Sequence, residues 1–170
     1  MESHLHAVSP SASAEQARPF EELVADEHAR LFRALFLITG NRAEAEEVMQ
    51  DAFLAVWERW DRVGAMDDPT GYLFRTAMNL WRKRLRRAGV AVRRTVAPSL
   101  ARDDFEDIET KEVVFAALRE LSPKERAAIV TTALLGYTSE EAGHVLGTTA
   151  ATVRMHASRA RAQMQRTVER

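Results

Sequence analysis

The stretch NLWRKRLRR, residues 79–87, sets Arg82, Lys83, Arg84, Arg86 and Arg87 within six positions. Cations so crowded repel one another, and an anionic partner outside the chain relieves that repulsion. Phosphate contact is the chemistry they suit, with the neighbouring Trp81 able to stack on an unpaired base. The plainer reading is a basic helix end favoured by the helix dipole. A second stretch, YTSEEAGHVLGTTAATVRMHASRARAQM (137–164), has the spacing of a short helix, a tight turn at Gly147 and a longer helix. Such a helix-turn-helix can lay its second helix in a major groove. Val153, Ala157, Ala160 and Met164 form its narrow seat. Thr149, Thr152, Arg154, Met155, His156, Ser158, Arg159 and Arg161 are left outside for base edges and phosphates. A helical hairpin with a solvated surface is the alternative.

A third stretch has the opposite sign. EAEEVMQDAF, residues 44–53, displays Glu44, Glu46, Glu47, Gln50 and Asp51 around an apolar stripe. That face repels nucleic acid, so it is either a solvated surface or a dock for a basic protein helix. Catalytic sets are missing. The five histidines, His4, His6, His28, His144 and His156, are scattered, with no HExxH, no phosphate-cradling glycine loop and no convincing triad. No catalytic residue and no metal site is assigned, and no cofactor is expected. With no cysteine, disulfides and thiolate chemistry are excluded.

The elements that must position these stretches are helices. Glycine and proline are scarce, and apolar residues recur at helical spacing. One helix is expected over 20–39, with Gly40 as its stop. Its inward side carries Val24, Leu31, Leu35 and Ile38. The next, about 42–60, opens on an Asn41 cap with Glu44 as reciprocal partner and has Ala45, Val48, Met49, Ala52, Phe53, Val56 and Trp60 at core spacing. A third runs over 69–87 behind Asp68 and Pro69, with Phe74, Ala77, Met78, Trp81 and Leu85 along one stripe. Residues 88–108 break the periodicity. A second group then starts at VVFAALREL, with Val113, Ala117, Leu118 and Leu121 facing inward. It continues through the capping boxes of Ser122 with Glu125 and Thr138 with Glu141, and closes with a helix from about Thr149 to Gln165. The expected fold is all-α, two small helical domains joined by a flexible linker. The expected divisions are a disordered tail over 1–19, a helical bundle over 20–88, a linker over 89–109 and a helix-turn-helix domain over 110–166.

Charge follows the same divisions. The formal net charge of the 170 residues is −1, from 24 basic and 25 acidic side chains. Yet residues 21–68 hold twelve acids against five bases, 69–102 hold nine bases and no acid, and 103–112 hold six acids and one lysine. No apolar run approaches the roughly 18–20 residues that cross a bilayer, and residues 1–19 lack the pattern of a signal peptide. No membrane insertion is expected, and the cytoplasm is the expected location.

Taken together, GNRAEAEEVMQDAFLAVWERW and DPTGYLFRTAMNLWRKRLRR resemble region 2 of the bacterial sigma-70 family, in its extracytoplasmic-function (ECF) group. ALRELSPKERAAIVTTALLGYTSEEAGHVLGTTAATVRMHASRARAQM is similar to that group's region 4. The resemblance implies two domains that bind RNA polymerase core and direct it to promoters. Glu44, Glu46, Glu47, Gln50 and Asp51 would dock on the clamp helices of the β′ subunit. Arg75, Asn79, Trp81, Arg82, Lys83, Arg84, Arg86 and Arg87 would read and help open the −10 element. Thr149, Thr152, Arg154, Met155, His156, Ser158, Arg159 and Arg161 would read the −35 element, with region 4 also touching the flap of the β subunit. An anti-sigma factor is implied as a further partner. The sequence departs from the family's usual pattern at Ala142 and Gly143, at Met155 and His156, and at Lys83, where an aspartate is frequent. Gly143 inside a helix is expected to cost about 1 kcal/mol relative to alanine. The rival reading is a stand-alone helix-turn-helix regulator binding duplex DNA as a dimer, which leaves the acidic helix and NLWRKRLRR without a role.

Overall fold

A computed structural model describes residues 18–90 and 108–168. The expected tail and linker fall mostly outside these residues. Among the described residues the elements are α1 (Phe20–Thr39), α2 (Arg42–Trp57), α3 (Trp60–Val63), α4 (Pro69–Val90), α5 (Ile108–Arg119), α6 (Pro123–Ile129), α7 (Ser139–Leu146) and α8 (Ala150–Val168). A π-helical turn, Val130–Leu134, prolongs α6.

Local chemistry accounts for the boundaries. Gly40 ends α1 in the left-handed region (φ 68°), its N–H donating to the Phe36 carbonyl at 2.8 Å. Asn41 Oδ1 accepts from the Glu44 N–H at 3.0 Å, starting α2. The reciprocal half of that box does not form. The Asn41 N–H donates to Thr39 Oγ1 instead, and the Glu44 carboxylate lies within electrostatic reach of Arg84 and Arg126. Asp68 caps α4 through the Gly71 N–H at 2.7 Å, one residue before Pro69. Ser122 with Glu125 and Thr138 with Glu141 form both halves of their boxes. The helix expected to run from Pro123 to Gly136 loosens at Val130. There the Leu135 N–H reaches back five residues to the Val130 carbonyl, at 3.1 Å. Buried Thr131 satisfies its hydroxyl on the Ala127 carbonyl at 2.8 Å.

Burial then joins the elements. α1 packs on α2 and α2 on α4, around Leu23, Leu31, Leu35, Ile38, Leu73, Phe74 and Met78. Each such side chain contributes roughly 1.5–3 kcal/mol by leaving water. In the C-terminal group α8 lies against α5, α6 and α7, seated by Val153, Ala157 and Ala160. Val113, expected to face inward, is 43% exposed, because the inward stripe of α5 begins a turn later, at Ala117 and Leu118. The two groups also touch: α4 packs on α7, and α1 on α6 and the π-turn. Arg30 donates to the Leu135 carbonyl (3.1 Å), and Phe74 meets Tyr137 edge to face. One continuous core results.

Candidate nucleic-acid interface

On α2, the acids expected to dock a basic partner lie along one side, spaced by helical turns. They are not idle. Glu46 pairs with Arg42 at 2.9 Å, one turn away. Glu47 Oε2 and Asp51 Oδ2 accept from the two terminal nitrogens of Arg84, at 2.5 and 2.7 Å. These bonds, Glu47's first, hold the Arg84 guanidinium charged even more firmly than usual. Glu44 is half-buried, and that burial raises its carboxyl above the ordinary range against the opposing charge of Arg84. Exposed Gln50 borders a groove of 440 Å³ that also takes in Phe32, Phe36, Met49 and Glu46. Beyond the acids the same helix presents Leu54, 57% exposed, and Trp57, 53% exposed. Residue spacing holds the signal for both, since neither falls on the core stripe of α2, though neither carries charge.

On α4 the cations divide. Arg75, Asn79, Lys83, Arg86 and Arg87 are exposed. Arg84 is held by the acids of α2, and Arg82 donates to the carbonyl of Leu146, the residue that ends α7 just before the turn. Trp81, expected both on the inward stripe and beside an opened strand, is 4% exposed and belongs to the core, because the stripe that carries Phe74, Ala77 and Met78 continues through it. In this arrangement its face is closed to a base.

The helix-turn-helix is built as its residues direct. Gly147 adopts φ 63°, the left-handed turn that lets the chain reverse between α7 and α8. Thr149 Oγ1 accepts from the Thr152 N–H at 3.2 Å and so opens α8. Thr149, Arg154, Met155, Ser158, Arg159 and Arg161 lie on the exposed side of that helix, with Arg154 bonded to Glu140 at 3.0 Å. Thr152 and His156 are turned inward. They line a cleft of 410 Å³ together with Trp81, Arg82, Leu85 and Arg86 of α4. Residues expected to read two separate DNA elements thus face one another across a gap too small for a duplex.

Two modules that are all-helical over the described residues, one with opposed acidic and basic helices and the other a helix-turn-helix, make the architecture of a two-part DNA-binding factor. Residues 23–90 match the Sigma-70 region 2 model and residues 111–164 the Sigma-70 region 4 model. The chain belongs to the sigma-70 family, in its ECF group. It is similar to the ECF RNA polymerase sigma factor SigE of Mycolicibacterium smegmatis, 29% identical over 157 residues, a match covering 86% of this chain and 60% of that protein. The RNA polymerase sigma factor CarQ of Myxococcus xanthus is 29% identical over 145 residues, covering 82% of this chain and 83% of that one. Among solved structures, the sigma factor RpoE in complex with the anti-sigma factor NepR from Bartonella quintana shares the fold. The TM-score is 0.72 and the identity 22%, over 88% of this chain and 96% of that chain.

Proposed function

We propose that this chain binds RNA polymerase core and directs it to promoters, acting as a specificity subunit with no catalytic chemistry of its own. The supporting observation is the segregation of charge. The acidic side of α2 and the basic length of α4 share one module, and the helix-turn-helix follows in the order of regions 2 and 4. Glu46, Glu47, Gln50 and Asp51 are read as the dock for the β′ clamp helices, with Leu54 and Trp57 supplying apolar contact beside them. Arg75, Asn79, Lys83, Arg86 and Arg87 suit the phosphates of an opened −10 strand. The outer side of α8 suits the −35 major groove, with Thr149 and Arg154 near its N-terminal end. The described arrangement is closed at Arg82, Thr152 and His156, which lie between the modules, so the two DNA faces are complete only when α4 parts from α7 and α8. An anti-sigma factor that holds the modules together is the natural antagonist, and the cytoplasm, where core and template meet, is the compartment this reading requires.

Run-off transcription with purified core free of other sigma factors is the direct test. The chain should confer initiation at discrete start sites, and failure to do so at any template would leave the stand-alone regulator in place. Reversing Glu47 and Asp51 to lysine should weaken core binding at least tenfold. Binding of the same variant to −35 duplex DNA should be spared.

A further inference from the structure

One ion pair in the N-terminal module joins the two surfaces to which separate partners have just been assigned. Glu47 and Asp51 stand four residues apart on α2, so both carboxylates rise from the same side of the helix. Arg84, on the neighbouring α4, spans them: its Nη1 donates to Glu47 Oε2 at 2.5 Å and its Nη2 to Asp51 Oδ2 at 2.7 Å. A planar guanidinium fits such a pair as a fork, which a lysine cannot. All three side chains keep solvent access, the arginine least. Among the described residues, Arg84 is the cation of the 82–87 run that reaches the acids of α2, while Lys83, Arg86 and Arg87 on either side of it are exposed.

We infer that Arg84 is a positioning residue that couples the two binding faces, competing with a basic partner for Glu47 and Asp51 and competing with those acids for phosphate. The inference rests on the reading of α2 as a dock for a cationic helix of the polymerase. Such a helix brings its own lysines or arginines to the two carboxylates. It then meets a third positive charge already in place, and the repulsion between them weakens either the dock or the hold on Arg84. Nucleic acid on α4 acts from the other side, because a phosphate that accepts from Arg84 leaves Glu47 and Asp51 to the incoming helix. Linkage makes the relation reciprocal: docking must raise the affinity of Arg84 for phosphate by the factor by which phosphate raises the affinity of the dock. The consequence is a factor that grips the enzyme less firmly off the template than on it.

The test uses the full chain and purified core polymerase, with affinity read by fluorescence in the absence of DNA. Arg84→Gln should tighten core binding about three- to fivefold, the scale of a forked surface ion pair. A merely structural role would loosen it. In the background of Glu47→Gln with Asp51→Asn, which alone should weaken binding, removal of Arg84 should bring no gain. Unchanged or weaker binding by Arg84→Gln overturns the coupling, and so does a gain that persists in the acid-neutral background, since that would be a general effect of charge. If neutralising the two acids leaves core affinity intact, the docking reading fails and the coupling fails with it. If the acids matter and Arg84 does not, the coupling alone is lost.

Discussion

The two modules are helical bundles of similar plan held by different means. In the first, bulk does the holding. The largest fully buried side chains of the described residues are Phe74, Leu23, Leu31, Leu35, Ile38, Leu73, Met78, Val48, Val56 and Val63 of that module, against Val153 and Thr131 of the other. The second module buries its larger aliphatics, such as Leu118, Leu121, Ile129 and Leu146, less completely, crosses its helices on Ala127, Ala128, Ala142, Gly143, Ala157 and Ala160, and fixes their ends with two complete capping boxes and left-handed glycines at 136 and 147. A core of large side chains is sensitive to losing volume. A core of small ones is sensitive to gaining it and to losing the local bonds that set each helix. The second module also leans on the first, through Leu135 against Arg30 and Tyr137 against Phe74.

The largest effect should therefore come from removing volume where volume is the device. Phe74 is fully buried, lies beneath the Arg30 guanidinium at 5.3 Å and meets the Tyr137 ring across the module boundary. Phe74→Ala should cost about 3–5 kcal/mol in urea unfolding. Because the ring also supports the neighbouring module, the closed arrangement should loosen as well, seen as a gain of protease sensitivity near Tyr137. A cost below about 1 kcal/mol would remove the basis for treating the first module as volume-held.

The reverse substitution sharpens the comparison from the other side. Gly143 inside α7 is, by propensity alone, worse than alanine by about 1 kcal/mol. A methyl group there would stand 3.0 Å from the Thr148 carbonyl oxygen and 3.3 Å from the Ala150 nitrogen, both backbone atoms of the turn. The Thr148 N–H in turn donates to the Gly143 carbonyl at 2.9 Å, so the turn cannot withdraw without losing that bond. Gly143→Ala should thus destabilise the module by about 1 kcal/mol despite its better propensity, the crowding outweighing the gain. Thermal unfolding that showed alanine to be stabilising would mean the turn yields easily and close approach is not what this module depends on.

These cases mark what could be read from residues alone. Caps and stops were legible, since Asp68 before Pro69, Ser122 with Glu125, Thr138 with Glu141 and the glycines at 40 and 147 act within a few residues of themselves. The inward stripes of α1, α2 and α4 were legible for the same reason. What depends on a distant neighbour was not. Arg84 looked like one more surface cation, yet it lies on carboxylates 33 and 37 residues away. Arg82 looked available for DNA and is bonded to a carbonyl 64 residues on. Trp81 carried both readings in one side chain, core stripe and base stack, and packing settled it toward the core. Charge patterns tell which faces exist; they do not tell which faces a closed chain has turned toward each other.

The smallest effect expected is at a cap, and pH resolves it. Ser122 accepts from the Glu125 N–H at 3.3 Å, while the Glu125 carboxylate accepts from the Ser122 N–H at 3.0 Å and from its hydroxyl at 2.7 Å. Ser122→Ala removes the hydroxyl and should cost about 1 kcal/mol at neutral pH. Those same bonds, the hydroxyl's first, hold the Glu125 carboxyl below its ordinary value of 4.5. A carboxyl lowered by folding binds its proton less tightly in the folded chain than in the unfolded one. The stability it lends is therefore complete above pH 4.5 and fades as pH falls through the lower folded value. The difference between wild type and Ser122→Ala should accordingly shrink on acidification, which paired thermal melts at neutral pH and near pH 3 would follow. A difference that stayed constant would assign the cost to the backbone bond alone, and the second module would owe less to its charged caps than the contrast with the first supposes.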